Sequence, residues 1–249
     1  MTTRTAVPDG APIWIDLSTS DVAASRSFYG ALLGWESEEP DPELGGYLNF
    51  RADGERVAGC MAGMPGACTD VWTTYLASPD AEKTCEQALA AGGAVHAPAM
   101  DVKDLGRMAI VADPGGAAVG IWQPGTHRGL LTVAEPGHAA WFELHTGDHP
   151  ASLAFYREVF GWQFETMADT DEFRYAVARL NDEEVAGVQE ITDGRAPQWT
   201  MAFCVEDTDA ATARAAQLGA TITGDPQDSP YGRLSWATDP TGAPFTLVS

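Results

Sequence analysis

The two halves of this 249-residue chain repeat one another. Three landmarks of the first half return 127 residues later: Trp14 as Trp141, the pair Phe28-Tyr29 as Phe155-Tyr156, and the pair Gly34-Trp35 as Gly161-Trp162. Three more return at offsets of 126 to 128: Val57-Ala58-Gly59 as Val185-Ala186-Gly187, Gly106-Arg107 as Gly232-Arg233, and Asp113-Pro114 as Asp239-Pro240. Each unit spans roughly 110–120 residues, far more than the ~20–50 residues of a solenoid repeat, which indicates a duplicated domain.

The boundary between the two copies is expected in a segment rich in proline and glycine, between Gln123 and Gly137. These residues punctuate a connector without clear hydrophobic periodicity. We therefore predict module one over residues 10–123, a linker over 124–136 and module two over 137–249.

The spacing of apolar residues predicts the same order of strands and helices in both modules. Alternation over 12–19 predicts a strand, and helical spacing over 21–33, ended by Gly34, predicts a helix. Strands at 35–38, 47–50 and 57–62 complete a βαβββ unit. A second unit follows, with a strand over 71–77, a helix over 79–91 and strands near 95, 108–112 and 117–123. Module two has the same pattern, with helices at 150–160 and 208–218, so the predicted fold class is α+β.

Composition restricts the partners of the protein. Acidic residues outnumber basic ones 36 to 14, for a formal charge of −22, so phosphate backbones and anionic lipid surfaces are repelled. No apolar run approaches the ~20 residues of a membrane span, and the first residues lack the apolar stretch of a secretory signal. We expect a cytoplasmic protein that binds neither nucleic acid nor membrane.

The ordered set of motifs is similar to that of the vicinal oxygen chelate superfamily, which includes glyoxalases, bleomycin-resistance proteins and extradiol dioxygenases. A strand that closes in an acidic residue precedes FYGALLGW in module one and FYREVFGW in module two, and DPGGAAVGIWQP follows later in module one. The resemblance covers nearly the whole chain twice, and it extends to two-module actinobacterial proteins named as glyoxalase-like or as hydroxylases. It implies tandem modules, each with two βαβββ units that form a curled mixed sheet, helices on the convex face and a small-molecule site in the concave cup.

The same resemblance implies three metal-ligand positions in each module, on the first, fifth and eighth strands. Counted from the aspartates that start the helices and from the Asp-Pro pairs, these positions hold Trp14, Thr73 and Gly120 in module one and Trp141, Thr200 and Thr246 in module two. An indole nitrogen only donates hydrogen bonds, so neither tryptophan can be a ligand. We therefore expect no metal and no other cofactor.

Other residues do not suggest a replacement metal site. The five histidines include no pair on one short helical face, and Cys60, Cys68, Cys85 and Cys204 form no CxxC motif. The cysteines are most simply free thiols. The sequence also lacks a GxSxG nucleophile motif, a phosphate-binding glycine loop and a Rossmann fingerprint.

Strand alternation places a polar and aromatic set on one face of each first strand. Trp14 and Asp16 share a face in module one, and Trp141, Glu143 and His145 share the corresponding face in module two. Family geometry directs these faces into the cups. The candidate catalytic residues are Asp16, Glu143 and His145, and Trp14, Trp141 and Trp122 of the last strand of module one are candidate ligand-binding residues. The alternatives are that the indoles only fill the vacated metal pocket and that the carboxylates serve as structural hydrogen-bond or ion-pair partners.

Arg107 and Arg233 follow glycines in corresponding loops. Each guanidinium has two possible roles, an anchor for a neighbouring carboxylate or a clamp for an anionic ligand. Both are therefore included among the candidate ligand-binding residues.

Three classes of function fit these residues. The first is a metal-independent protein that binds a small aromatic or polycyclic molecule in a cup, with Trp14 and Trp141 partly exposed. The second is a metal-independent enzyme of secondary metabolism, an isomerase, cyclase or hydroxylase, with Asp16, Glu143 or His145 as acid or base. The third, a metal-dependent dioxygenase or lyase, is disfavoured by the six ligand positions. The expected partner is a small molecule, and the chain is expected to be a monomer with an internal pseudo-dimer, or a homodimer.

Overall fold

The computed structural model describes residues 2–64, 66 and 68–249. A short strand, β1 (Thr2–Thr3), precedes module one. The first βαβββ unit consists of β2 (Pro12–Thr19), α1 (Val22–Leu33), β3 (Glu36–Ser37), β4 (Leu48–Ala52) and β5 (Glu55–Ala62), with a 3-10 turn at Pro42–Leu44. The second consists of β6 (Val71–Ala77), α2 (Ala81–Ala90), β7 (Ala94–Val102), β8 (Gly106–Ala112) and β9 (Ala118–Pro124).

Module two repeats this order after a two-residue strand, β10 (Thr132–Val133), that pairs with β1. Its first unit consists of β11 (Ala139–Thr146), α3 (His149–Phe160), β12 (Gln163–Asp169), β13 (Arg174–Leu180) and β14 (Glu183–Glu190). Its second unit consists of β15 (Gln198–Cys204), α4 (Thr208–Gln217), β16 (Thr221–Ser229), β17 (Gly232–Thr238) and β18 (Pro244–Val248). The predicted α+β class with two βαβββ units in each module is confirmed.

Each module forms one eight-stranded mixed sheet. The strand order is β3-β4-β5-β2-β6-β9-β8-β7 in module one and β12-β13-β14-β11-β15-β18-β17-β16 in module two. The two units of a module meet at an antiparallel pair of first strands, β2 with β6 and β11 with β15. Within each unit the first and last strands run parallel. Both modules therefore place their first strands at the centre of the sheet.

Aspartates start all four main helices. Asp21 accepts a hydrogen bond from Ala24 N at 2.9 Å, and α1 ends at Gly34 with φ 72°, as its glycine predicts. The predicted helix over 79–91 begins later, at Ala81, because Asp80 acts as the N-cap and accepts from Lys83 N. None of the helices in the described part of the chain is long and apolar enough to cross a membrane.

The helices of the two modules face each other, with α1 beside α4 and α2 beside α3. Reciprocal hydrogen bonds link the modules: Trp35 Nε1 donates to Gly137 O at 2.7 Å, and Trp162 Nε1 donates to Gly10 O at 2.8 Å. Ile13, Ile15 and Leu17 of β2, and Phe142 and Leu144 of β11, are buried in the core on the other side of these strands from Trp14 and Trp141. The opposite, polar and aromatic faces of the two sheets are therefore left for the cups.

Candidate functional site

The two first strands hold matching side chains on their outer faces. In module one, Trp14 Nε1 donates to the hydroxyl of Tyr47 at 2.9 Å. In module two, the indole N–H of Trp141 donates to the hydroxyl of Tyr175, which lies 128 residues after Tyr47. Both cups are thus built on the same tryptophan and tyrosine pair.

A strand glycine makes each of these pairs possible. A Cβ atom at Gly187 would lie 2.1 Å from the Tyr175 hydroxyl, and one at Gly59 would lie 1.7 Å from the Tyr47 hydroxyl. These distances leave no room for a side chain. The glycine of the repeated Val-Ala-Gly motif therefore allows a tyrosine side chain to pack closely against the middle of the sheet.

The cup of module one is filled by the protein itself. Tyr75 and Trp122 are 5% and 6% exposed, and the ring of His127 packs edge-on against Trp14 with ring centroids 4.3 Å apart. Trp14 is only 3% exposed, so the expectation that this indole is partly exposed in a cavity is wrong. The reason is tertiary: the segment after β9 folds back over the cup and is anchored by the hydrogen bond from His127 N to Leu105 O.

Asp16 lies beneath this filling, where it hydrogen-bonds to the side chains of Tyr75 and Thr73. Burial raises the pKa of this carboxyl to about 7, because an ionised carboxylate loses its hydration, and the two hydrogen bonds only partly offset that effect. Burial also lowers the pKa of His127, which packs against Trp14, to about 4. Asp16 is therefore separated from solvent.

Module two instead contains a cavity of about 430 Å³. Its aromatic walls are Trp141, Tyr175, Tyr231 and Trp236, and its polar groups include Glu143, Glu184, Thr200 and Thr246. The cavity is open because small residues replace the rings that fill module one. Ala202 stands at the position of Tyr75 and Val248 at the position of Trp122.

Glu143 contacts two other side chains at the wall of this cavity. Its Oε1 lies 2.7 Å from His145 Nε2, and its Oε2 accepts from the Tyr175 hydroxyl at 3.0 Å. The pKa of Tyr175 is raised, first by burial and then by the charge of Glu143. His145 Nδ1 is buried and has no hydrogen-bond partner in the described chain. The structure therefore brings together Trp141, Glu143 and His145 and adds Tyr175 to them.

The two candidate arginines lie outside the cavity. Arg107 Nε pairs with Asp101 at 2.9 Å, and Arg233 pairs with Asp209 and with Asp228, the latter at 2.9 Å. These contacts fit the anchoring alternative. Trp122 also lies elsewhere, in the filled cup of module one, where its Nε1 donates to His127 O at 3.0 Å.

The donors at the family's metal positions in module two do not fit a divalent metal. Trp141, Thr200 and Thr246 do line the cavity, but they offer two hydroxyls and an indole that is only a donor. Across the described residues, no cluster of three or more His, Cys, Asp or Glu side chains is arranged to hold a metal ion. The four cysteines are free thiols.

Sequence reasoning missed Tyr175, Tyr231 and Trp236, because these residues come from other strands and loops than the first strand. A longer comparison of the two halves would have indicated Tyr175, which matches Tyr47, with Arg179 matching Arg51 at the same offset of 128. No comparable signal marks Trp236, whose counterpart is Ile110, or Tyr231, whose counterpart is Leu105.

Two family models match the chain, one in each module. The model described as "Glyoxalase/Bleomycin resistance protein/Dioxygenase superfamily" matches residues 12–121, and the model described as "Glyoxalase-like domain" matches residues 141–248. Both matches begin in the first strand of a module. They agree with the duplication seen in the sequence and in the two sheets.

Similar proteins cover nearly the whole chain. The anthracycline biosynthesis protein DauV of Streptomyces sp. (strain C5) is 38% identical, over 96% of this chain and 93% of its own. CFP32 of Mycobacterium bovis (strain ATCC BAA-935 / AF2122/97), whose name assigns it provisionally to the glyoxylases, is 37% identical over 100% and 98%.

Solved structures share the fold at low identity. The Mn(II)-bound glyoxalase from Novosphingobium aromaticivorans has a TM-score of 0.66 at 18% identity and covers 96% of this chain and 82% of its own. The 2,3-dioxygenase LapB from Pseudomonas sp. KL28 has a TM-score of 0.68 at 15% identity and covers 97% and 93%. The family models that match the two modules and the relatives that match nearly the whole chain show that it belongs to the glyoxalase/bleomycin resistance/dioxygenase superfamily, the vicinal oxygen chelate superfamily, as a two-module protein.

Proposed function

We propose that this protein binds a planar aromatic or polycyclic small molecule in the cavity of module two, without a metal ion. The observation that supports this most directly is the cavity itself, whose volume of about 430 Å³ lies within the ~300–1,000 Å³ of small-molecule sites. Four aromatic side chains line it, and aromatic rings favour the offset or edge-on packing of a planar ligand.

Two further observations support the proposal. The metal positions of this module hold Trp141, Thr200 and Thr246, so the cavity wall offers packing and hydroxyl groups instead of metal ligands. The name of the Streptomyces relative refers to anthracyclines, which are polycyclic aromatic compounds. A relative of this kind makes a planar polycycle a reasonable first ligand to test.

Catalysis by the same site is the second candidate function. Glu143 lines the cavity, its side chain is 23% exposed, and it is held between His145 and Tyr175. A carboxylate in this position, supported by an imidazole, is suited to accept a proton from a bound ligand, as in an isomerisation or a cyclisation. His145, at 2.7 Å from Glu143 Oε1, would hold the orientation of this carboxylate.

Titration with a tetracyclic anthraquinone aglycone tests the binding proposal. In isothermal titration, the Trp141→Ala variant should bind at least ~10-fold more weakly, because a buried aromatic contact at the centre of a site is worth ~1.4 kcal/mol or more. The control is Trp14→Phe, which keeps a ring in the filled cup of module one and should leave affinity unchanged. Equal affinity of the wild type and Trp141→Ala, or no binding at all, contradicts the proposal.

The same titration separates binding from catalysis. Glu143→Gln keeps an oxygen that accepts hydrogen bonds but removes the base. The variant should therefore still bind the aglycone, and chromatography of long incubations should show no conversion if the wild type converts a ligand. An unchanged ligand with both proteins favours a binding function alone.

A further inference from the structure

The filled cup of module one shows what kind of group fits beside the carboxylate of each first strand. In β2 and β6, Trp14 lies opposite Tyr75, and Asp16 lies opposite Thr73. The hydroxyl of Tyr75 hydrogen-bonds to Asp16. An intramolecular phenol therefore occupies this cup and is bound to its carboxylate.

Module two has the same register but lacks the phenol. In β11 and β15, Trp141 lies opposite Ala202, and Glu143 lies opposite Thr200. The tryptophan, the carboxylate and the threonine all remain, and only the tyrosine is replaced by a methyl group. Module two therefore lacks the strand phenol that bonds Asp16 in module one, and Glu143 and Ala202 line a cavity instead.

Two donors close to Glu143 are already used within the protein, which leaves this carboxylate as an acceptor at the cavity wall. The hydroxyl of Tyr175 already donates to Glu143 at 3.0 Å, and the N–H of Trp141 already donates to Tyr175. A carboxylate has about four lone-pair sites, so Glu143, bonded to His145 and Tyr175, can accept one more hydrogen bond.

Charge in the cavity also favours a neutral donor. Glu143 and Glu184 both line it, and no lysine or arginine is among the described lining residues. Arg179, the cation nearest to Glu184, lies at 3.1 Å from that carboxylate and also pairs with Glu165. An anionic ligand would meet two carboxylates without a free cation, whereas a neutral hydroxyl would donate to one of them.

We propose that the ligand of module two is a phenol whose hydroxyl donates a hydrogen bond to Glu143, as the hydroxyl of Tyr75 bonds Asp16 in module one. This proposal rests on the binding function proposed above and names its ligand class. The ring of the ligand cannot lie in the same place as the ring of Tyr75. A Cβ atom at Gly120 would lie 2.1 Å from that ring, and Thr246 stands at the corresponding position. The ligand ring therefore lies further from β18, in the open part of the cavity.

A pair of matched ligands tests the proposal on the wild-type protein. The probes are 2-naphthol and 2-methoxynaphthalene, which share a ring system but differ in the donor hydroxyl. In isothermal titration at neutral pH, 2-naphthol should bind once per chain and at least ~10-fold more tightly, since hydrogen bonds to ionised groups are the stronger kind. If both bind equally, the phenol proposal is overturned while the aromatic-binding function stands. If neither binds, the phenol proposal is overturned, and the aglycone titration decides the aromatic-binding function separately.

Substitutions in module two that introduce the side chains filling the cup of module one test where the phenol binds. The double variant Ala202→Tyr/Thr246→Gly recreates the pair formed by Tyr75 and Gly120, and it should lose 2-naphthol binding. Val248→Trp introduces the counterpart of Trp122 on β18, and it provides a second test if the double variant does not fold. Retained, hydroxyl-dependent binding in a folded variant would place the phenol elsewhere and overturn the proposal.

Discussion

At the scale of single residues, the two modules place a carboxylate at the same point of the sheet and surround it differently. Asp16 lies under Tyr75 and Trp14 and is buried. Glu143 is one methylene longer, is paired with His145 and lies at the wall of a cavity. The carboxylate at this position is therefore buried in one module and lines a cavity in the other, because its neighbours differ.

The raised pKa of Asp16, about 7 in the folded protein against an ordinary value of 3.8, predicts a dependence of stability on pH. Between these two values the folded chain holds a proton that the unfolded chain has lost, so the free energy of unfolding falls as pH rises from about 4 to about 7. The free energy of unfolding, measured in urea, should fall more between pH 5 and pH 8 for the wild type than for Asp16→Asn, whose amide oxygen still accepts a hydrogen bond from Tyr75. The comparison cancels the contributions of other carboxyl groups. An equal fall in the free energy of unfolding of both proteins would contradict the raised pKa of Asp16.

At the scale of elements, local sequence predicts most of the structure. The four main helices follow aspartates whose side chains cap them, and the strands follow the alternation of apolar residues. The main feature that local sequence does not predict is the short length of β3, which covers only Glu36–Ser37, whereas its counterpart β12 covers Gln163–Asp169. The number of paired residues in an edge strand depends on its partner strand. The periodicity of the edge strand's own residues does not specify that partner.

The close approach of a tyrosine to a strand glycine gives an element-scale prediction. Gly187→Ala should displace the Tyr175 hydroxyl from Trp141 and from Glu143, since its Cβ would lie 2.1 Å from that hydroxyl. We expect a loss of ~1–3 kcal/mol in unfolding free energy, as for other overpacked sites, together with weaker ligand binding.

The matched control for this change is Gly59→Ala in module one, where the conflict with Tyr47 is similar. It should reduce stability by a comparable amount in urea unfolding but leave aglycone binding unchanged. If both variants weaken binding equally, the cavity of module two is not the site.

At the scale of the whole molecule, the repeated Phe-Tyr and Asp-Pro motifs join the modules. The hydroxyl of Tyr29 donates to Asp239 Oδ2 at 3.0 Å and accepts from Trp72 Nε1 at 3.1 Å. Tyr156 makes the reciprocal contacts with Asp113 and Trp199. These groups are buried, so each hydrogen bond constrains how one module sits on the other.

Tyr29→Phe should therefore destabilise both modules together. The change leaves Trp72 Nε1 without an acceptor and removes a donor from Asp239, and an unsatisfied buried polar group costs ~1–3 kcal/mol. Urea unfolding followed by circular dichroism and by tryptophan fluorescence should show one shifted transition with both probes. Tyr231→Phe, at a tyrosine that is 58% exposed, is the control and should leave the midpoint unchanged. Two separated transitions in the wild type would show that the modules unfold independently.

The sequence by itself determined the duplication, because the two halves can be compared residue by residue. It also determined the element order, the approximate helix ends and the strand faces that hold Trp14, Asp16, Trp141 and Glu143, since these depend on residues near one another in the chain. Only the tertiary structure decided which cup is open. Module one is filled by Tyr75 and Trp122 from other strands and by His127 from the segment after β9. Module two has Ala202 and Val248 at the first two positions. The volume of a cavity is set by side chains that converge from distant parts of the chain, so no local pattern reports it.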